Sequence, residues 1–338
     1  SKDLSISGDY MVVGASNNST DETLLNFIEN AGAAYIYHRD GAGVWSMVQK
    51  ITASDRGRRH FFGGSVDLDG TTIVIGAKEE GAIRSGAAYV FEKNSNSNTW
   101  QETAKLVAND FRARQDRFGG VVSIDNNMIA VGALGDDDYD NNDSGDGGGP
   151  LTLLGSVYIF KKTTDGNWLV NQKLRPSETA PNYSYFSDRL DMDGDKLAVR
   201  GRMFDFDANG NPTAMYGKIY MFEKDSSDNW NEYQIVEQDI MQNSDWFGVS
   251  ISLFEENMFI GAYWHDYDFN EENFINDSGA IYIFNTHDIP EKPELNELAV
   301  LTACEDLGAG ISSSFDTSQI ENDLIDGVED YIFSYKDE

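Results

Sequence analysis

Cysteine occurs once among 338 residues, as Cys304, which excludes a disulfide scaffold and a zinc-ligand cluster within the chain. Basic residues are few: 25 Lys and Arg face 58 Asp and Glu. Such an excess repels a nucleic-acid backbone or an anionic membrane surface, and leaves divalent cations and basic or neutral ligands as partners. Apolar runs stay strand-sized, well short of the ~20 residues a membrane helix needs, so membrane insertion is not expected. The opening SKDLSIS has no basic-then-apolar leader, and any export signal is expected to have been removed or to lie upstream. There is no Gly-x-Ser-x-Gly turn, no phosphate-cradling glycine loop and no metal-protease helix. The four histidines, His38, His60, His265 and His287, are far apart in sequence. What is present is 40% apolar content, enough for the core of one large or two ordinary domains.

The apolar residues are organised as a repeat. HFFGGSVDLDGTTIVIGA (60–77) has a looser copy, DRFGGVVSIDNNMIAVGA (116–133), and related stretches lie at 5–15, 189–201 and 250–262. Each is two short alternating runs around a tight turn, with Ser7-Gly8, Asp69-Gly70, Asp125-Asn126 and Asp193-Gly194 as turn centres and Phe254-Glu255 less typical. A third run follows in every copy: GAAYIY, GAAYVF, GSVYIF, GKIYMF and GAIYIF, from Gly32, Gly86, Gly155, Gly217 and Gly279. Four copies add a fourth run from Trp45 to Ile51, Trp100 to Leu106, Trp168 to Leu174 and Trp230 to Val236. The even spacing puts both ends of that run on one face. The unit is a four-stranded antiparallel meander that cannot bury its faces alone. Radial stacking into an all-β propeller is the expected solution, with a sandwich as the structural alternative.

These residues resemble the FG-GAP repeat of integrin α-subunit propellers and bacterial surface proteins. Phe62-Gly63, Phe118-Gly119 and Phe247-Gly248 supply the first half, with Phe186-Ser187 degenerate; Gly14-Ala15, Gly76-Ala77, Gly132-Ala133 and Gly261-Ala262 supply the second, with Arg200-Gly201 degenerate. A large ring beside a residue lacking Cβ suits a place where blades converge. The reading is a propeller over 1–288, with blades at about 1–55, 56–110, 111–179, 180–239 and 240–288. At least five blades are visible, and the resemblance allows up to seven. The fifth copy lacks a Trp-led fourth run, and residues upstream of Ser1 are expected to supply the missing edge.

From residue 289 the composition changes. A linker at 289–298 contains Pro290 and Pro293, and 289–338 holds thirteen acids against two bases. Residues 299–338 resemble the start of the Ig-like β-repeats of large Bacteroidetes-type adhesins, with a flexible acidic linker as the alternative. The first reading implies further domains of the same polypeptide and a partner for Cys304 beyond Glu338; the second leaves a lone thiol.

In a meander, the connections between second and third strands share one end with the connectors between blades. The longest connections, 16–31, 134–154, 202–216 and 263–278, all belong to that class. Three carry oxygen ligands at alternate positions, as calcium loops do. They are Asp205, Asp207 and Asn209; Asp140 and Asn142 with Asp136 and Asp138 nearby; and Asp266, Asp268 and Asn270 with Asp277. Ca2+ is the expected cofactor, and a solvated acidic loop is the alternative. Integrin-like propellers usually hold calcium in a tighter motif at a different hairpin. Arg56, Arg58, Arg59, Arg112, Arg114 and Arg117 cluster in two blade connectors. They would grip an acidic glycan or carboxylate, or neutralise neighbouring acids. Trp264 and His265 complete the candidate ligand-binding residues. The resulting expectation is a non-catalytic, secreted or cell-surface adhesion module that recognises an extracellular glycan or surface protein. A polysaccharide-degrading enzyme on the same scaffold and a purely structural spacer are the alternatives.

Overall fold

The computed structural model describes residues 3–110, 115–136, 154–177, 185–206, 212–237, 246–262, 279–286 and 330–333. Among them are strands and no helix. The strands follow the repeat. The first blade is β1 (Leu4–Ser7), β2 (Tyr10–Ala15), β3 (Ala33–Arg39) and β4 (Trp45–Ile51), and the second is β5 (Ser65–Asp69), β6 (Thr72–Ala77), β7 (Ala87–Asn94) and β8 (Thr99–Leu106). The third is β9 (Phe118–Asp125), β10 (Met128–Ala133), β11 (Ser156–Lys162) and β12 (Trp168–Leu174). The fourth is β13 (Arg189–Asp193), β14 (Lys196–Phe206), β15 (Pro212–Lys224) and β16 (Trp230–Val236). In the fifth, β17 (Ser250–Phe254), β18 (Asn257–Ala262) and β19 (Ala280–Asn285) are joined by β20 (Asp330–Phe333). Strands adjoin in sequence order in every sheet, giving five four-stranded antiparallel blades in a propeller arrangement.

Two compact units are present, one of 1–202 with 221–233, the other of 203–220 with 234–338. In the first unit the innermost strands β1, β5, β9 and β13 are successive neighbours. In the second, β20 pairs with β19, Ile281 opposite Phe333. The missing edge of the fifth blade is therefore filled by residues 330–333, not by residues upstream of Ser1. A β-rich Asp-Tyr-Ile-Phe run serves an open edge as well as a Trp-led one.

Alternation divides the second sheet between two cores. Ile73 and Ile75 join Val12, Ile36 and Phe62 between the first and second blades, while Val74 joins Phe118, Ile129 and Val131 between the second and third. Trp100 belongs to the former core and Leu106 to the latter, so the single-face expectation for the fourth run is corrected. A register shift between Val90 and Phe91 inserts one residue into β8, and an extra residue reverses every side chain beyond it. The same shift follows Ile36 and Ile159.

The tight turns sit one residue later than their sequence reading. Ser7 pairs with Tyr10, Asp69 with Thr72 and Asp125 with Met128, so Gly8, Gly70 and Asn126 open the two-residue loops at positive φ (57°, 52° and 52°). Glu255 does the same in the fifth blade, at φ 54°. The preceding Ser or Asp is thereby free to reach the next blade. Ser7 accepts the Gly70 N–H at 3.0 Å, Asp69 that of Asn126 at 2.7 Å, and Asp125 that of Gly194 at 3.1 Å. One layer further in, Asp67 ties three blades together: it accepts from Ser5 Oγ (2.7 Å), Ser123 Oγ (3.1 Å) and the N–H of Ile124 (2.7 Å). Burial pushes its carboxyl above the usual range, against those hydrogen bonds.

The Phe-Gly and Gly-Ala halves meet across blade boundaries. Gly14 and Gly32 of the first blade flank Phe62-Gly63 of the second so closely that a Cβ on either would lie 2.3 Å from Gly63 O or 2.0 Å from Phe62 O. Gly76 and Gly86 treat Phe118-Gly119 alike, at 2.0 and 2.1 Å. The phenyl ring meanwhile packs edge-on against the third-strand tyrosine of its own blade: Phe62 on Tyr89, Phe118 on Tyr158, Phe247 on Tyr282, with centroids 5.3–5.5 Å apart. The residue after each Phe needs a left-handed backbone: Gly63, Gly119 and Gly248 have φ 82°, 80° and 79°. Ser187, in the degenerate copy, is held at φ 74° with a buried hydroxyl that has no hydrogen-bond partner. Ser187→Gly is expected to add about 1 kcal/mol of stability, relieving backbone strain and an unsatisfied hydroxyl, measured as a higher urea midpoint with an unchanged slope.

Candidate functional site

The second-to-third-strand connections and the blade connectors lie at one end of the strands, and residues 16–32 form the best-described long connection. Its conformation is fixed from within. The Asp21 carboxylate accepts the N–H of Thr23 (3.1 Å) and Leu25 (3.2 Å) and the Thr23 hydroxyl (2.7 Å), while Thr20 and Phe27 form an antiparallel bridge. Hydrogen bonds from Thr23 and Asn26 hold that carboxyl well below its usual range. Buried Lys50 donates to the carbonyls of Thr20 and Asp21, both at 2.8 Å. Its ammonium is pulled down by burial. The tip nevertheless presents apolar side chains to solvent, with Leu24 65%, Leu25 84% and Phe27 72% exposed, and Leu24 sits at φ 64°. A rigid loop that spends strain on displaying apolar groups is suited to binding.

Arginines brace this loop and its counterpart in the second blade. Arg56 donates to the carbonyls of Ser19 (3.2 Å) and Asn26 (3.4 Å). Arg58 and Arg59 share Glu29, at 2.7 and 2.8 Å, and depress its carboxyl, Arg59 more than Arg58. Arg84 and Arg117 approach Glu79 at 3.5 and 3.9 Å. Glu29 and Glu79 are thus each flanked by two partly exposed guanidiniums. Arg112 and Arg114 lie outside the described residues.

Among the expected calcium ligands, Asp136 is the one whose side chain is described, and it does not fit that role. Burial pushes its carboxyl up, but Ser156 (2.5 Å), Tyr158 (2.7 Å) and Lys173 (2.9 Å) outweigh burial and hold it below the usual range, with Arg175 on the second oxygen at 2.9 Å. Two cations already occupy it. The connection read at 202–216 is also shorter than expected, because β14 runs through Asp205 to Phe206 and β15 starts at Pro212. Phe204, Phe206, Thr213 and Tyr216 favour strand, so Asp205 lies on the extended end of β14. Asp138, Asp140, Asn142, Asp207, Asn209, Asp266, Asp268, Asn270 and Asp277, with Trp264 and His265, lie outside the described residues. Among the described residues no group of three or more His, Cys, Asp or Glu is placed to hold a metal ion.

The Asp136 cluster recurs. In the second blade Lys105 bridges Asp55 (2.5 Å) and Glu80 (2.9 Å), and Tyr89 donates to Asp55 at 2.6 Å. In the third, Lys173 bridges Asp110 (2.6 Å) and Asp136, and Tyr158 donates to Asp110 at 2.7 Å. In the first, Lys50 and Tyr35 meet at Asn18. These networks anchor the loop face to the sheets. Their signal in sequence is a Lys just before the aliphatic residue that ends the fourth run (Ile51, Leu106, Leu174), and an Asp four residues after it in two copies. Sequence reasoning passed over it because acids are so abundant.

With that geometry in place, comparison with known proteins finds a similarity over part of the chain. The family described as FG-GAP repeat matches residues 45–91, 100–160 and 230–284. No curated protein matches. Among solved structures, a crystal structure of a protein from Lactobacillus plantarum is similar over 84% of this chain and 80% of that one, with 12% identity and a TM-score of 0.40.

Proposed function

We propose that this chain of FG-GAP repeats is a non-catalytic extracellular binding module whose loop-rich end recognises a glycan or surface protein, with calcium ordering the acidic connections at 137–153 and 263–278. The observation that carries the reading is the 16–32 loop. Internal hydrogen bonds, Lys50 and Arg56 hold it, yet Leu25 stands 84% exposed at its tip. Packing within a monomer does not account for a rigid apolar display of that kind, whereas a partner surface does. The calcium part rests on the alternating oxygen ligands Asp266, Asp268 and Asn270 with Asp277, and on Asp138, Asp140 and Asn142.

The test is binding to a glycan array and a panel of surface proteins, with and without chelator. Binding is expected to fall at least tenfold in EGTA and, separately, with Phe27→Ser. Equal melting temperature and equal binding in EGTA would remove calcium from the proposal, and binding that survives Phe27→Ser and Leu25→Ser would remove the loop. Depolymerisation of a polysaccharide would replace the binder by an enzyme.

A further inference from the structure

Among the described residues, the outer edges of neighbouring blades are stitched by two polar ties at two seams, and the seam between them lacks both. At the first seam the Gln49 carboxamide, four residues after Trp45, accepts the Trp100 N–H and donates to the Trp100 carbonyl, both at 2.8 Å. Gln172 makes the same pair of bonds to Trp230 at 2.8 and 2.9 Å. The second tie is a glutamate two residues after the tryptophan. Glu102 accepts from the N–H (2.8 Å) and hydroxyl (2.7 Å) of Ser54, and Glu232 accepts from the N–H (2.9 Å) and hydroxyl of Ser177. Between the second and third blades the corresponding residues are Ala104 and Val170. Neither can form a tie.

A groove of about 340 Å³ opens there, lined by Thr103, Ala104, Thr163, Asp165, Asn167 and Trp168 among others. Lys162, opposite Trp168, donates its N–H away from it, to Asn127 at 2.9 Å. The pair is therefore of the non-hydrogen-bonded kind, and the Trp168 N–H and C=O point outward from the edge strand into the groove. Both neighbouring seams fill this position with one donor and one acceptor on the same side of a planar group.

We propose that the groove binds a primary carboxamide, the side chain of an Asn or Gln on a partner protein, which completes at Trp168 the pair of bonds that Gln49 and Gln172 make internally. A secondary amide in its trans form directs N–H and C=O to opposite sides and cannot make both bonds. A carboxylate offers acceptors alone and a guanidinium donors alone. The site lies near the β11–β12 turn, at the end opposite the loops, and does not depend on their function.

Propionamide is the probe, followed at the Trp168 backbone amide of isotopically labelled protein. A saturable shift in the millimolar range is expected with propionamide, and none with N-methylpropionamide or propionate. Ala104→Gln, supplying its own carboxamide, is expected to abolish the shift and raise Tm by about 2 °C. Ala104→Leu, filling the groove without an amide, is expected to abolish the shift as well. The proposal is overturned by equal shifts with N-methylpropionamide, by a shift that persists in both variants, or by no shift at Trp168 in the parent protein.

Discussion

Gly119→Ala is expected to cost more than about 4 kcal/mol, a large share of the stability of a typical domain. Two independent penalties act at this position. The backbone sits at φ 80°, and an added Cβ would lie 2.2 Å from the Ala87 carbonyl oxygen and 3.0 Å from its carbon, both main-chain atoms of the preceding blade. A side chain in the way could rotate; a strand cannot. Gly70→Ala separates the terms, since Gly70 also has positive φ (52°) but nothing within 4 Å of an added Cβ. It is expected to lose only about 1–2 kcal/mol. Urea unfolding followed by tryptophan fluorescence measures both. Similar losses for the two would mean that the close approach between blades contributes nothing.

The second large effect belongs to Asp136. Asp136→Ala removes the buried carboxylate shared by Lys173 and Arg175, leaving Lys173 on Asp110, and is expected to cost about 3 kcal/mol, the usual consequence of removing one partner from a buried ion cluster. The pH dependence has a definite sign. A carboxyl whose folded-state pKa is depressed stabilises the protein at pH values above the ordinary carboxylate value of 3.8, and that contribution fades as pH falls through and below it. Asp67 works in the opposite direction, its carboxyl being raised by burial. Unfolding free energy measured from neutral pH downward should fall less steeply in Asp136→Ala than in the parent. The response to chelator should be the same in both, because Asp136 is held by protein cations. A steeper acid limb, or a lost chelator response, would overturn the assignment.

How much of this was legible in sequence depends on how local the cause is. Strand existence, order and blade count follow from alternation and from turn residues such as Gly8 and Gly70, which act over a few positions. The pairing of Phe-Gly with Gly-Ala was visible as a repeat. That the two halves meet across a boundary, Gly76 against Gly119, was not, because repetition alone does not say which copy touches which. The bulge in β8 escaped for a related reason: Thr103 carries no compositional mark, and one inserted residue moves Trp100 and Leu106 to different cores. Asp136 was misread because its partners, Lys173 and Arg175, lie nearly forty positions away, beyond a run rich in aspartate. The fourth strand of the fifth blade was missed because 330–333 lacks the tryptophan that marks the others.

The Phe-Gly arrangement bears on how such a chain can change over generations. The second blade carries a plug for the first and a socket for the third, both built from main chain and glycine, and the connections contribute only at the ends that lead into the third strands, Ala31 and Gly32 in the first blade and Ser85 and Gly86 in the second. Loops can therefore lengthen, shorten or be exchanged as cassettes without renegotiating the fit between neighbours. A short 78–86 connection can stand beside a long 16–32 one on the same frame.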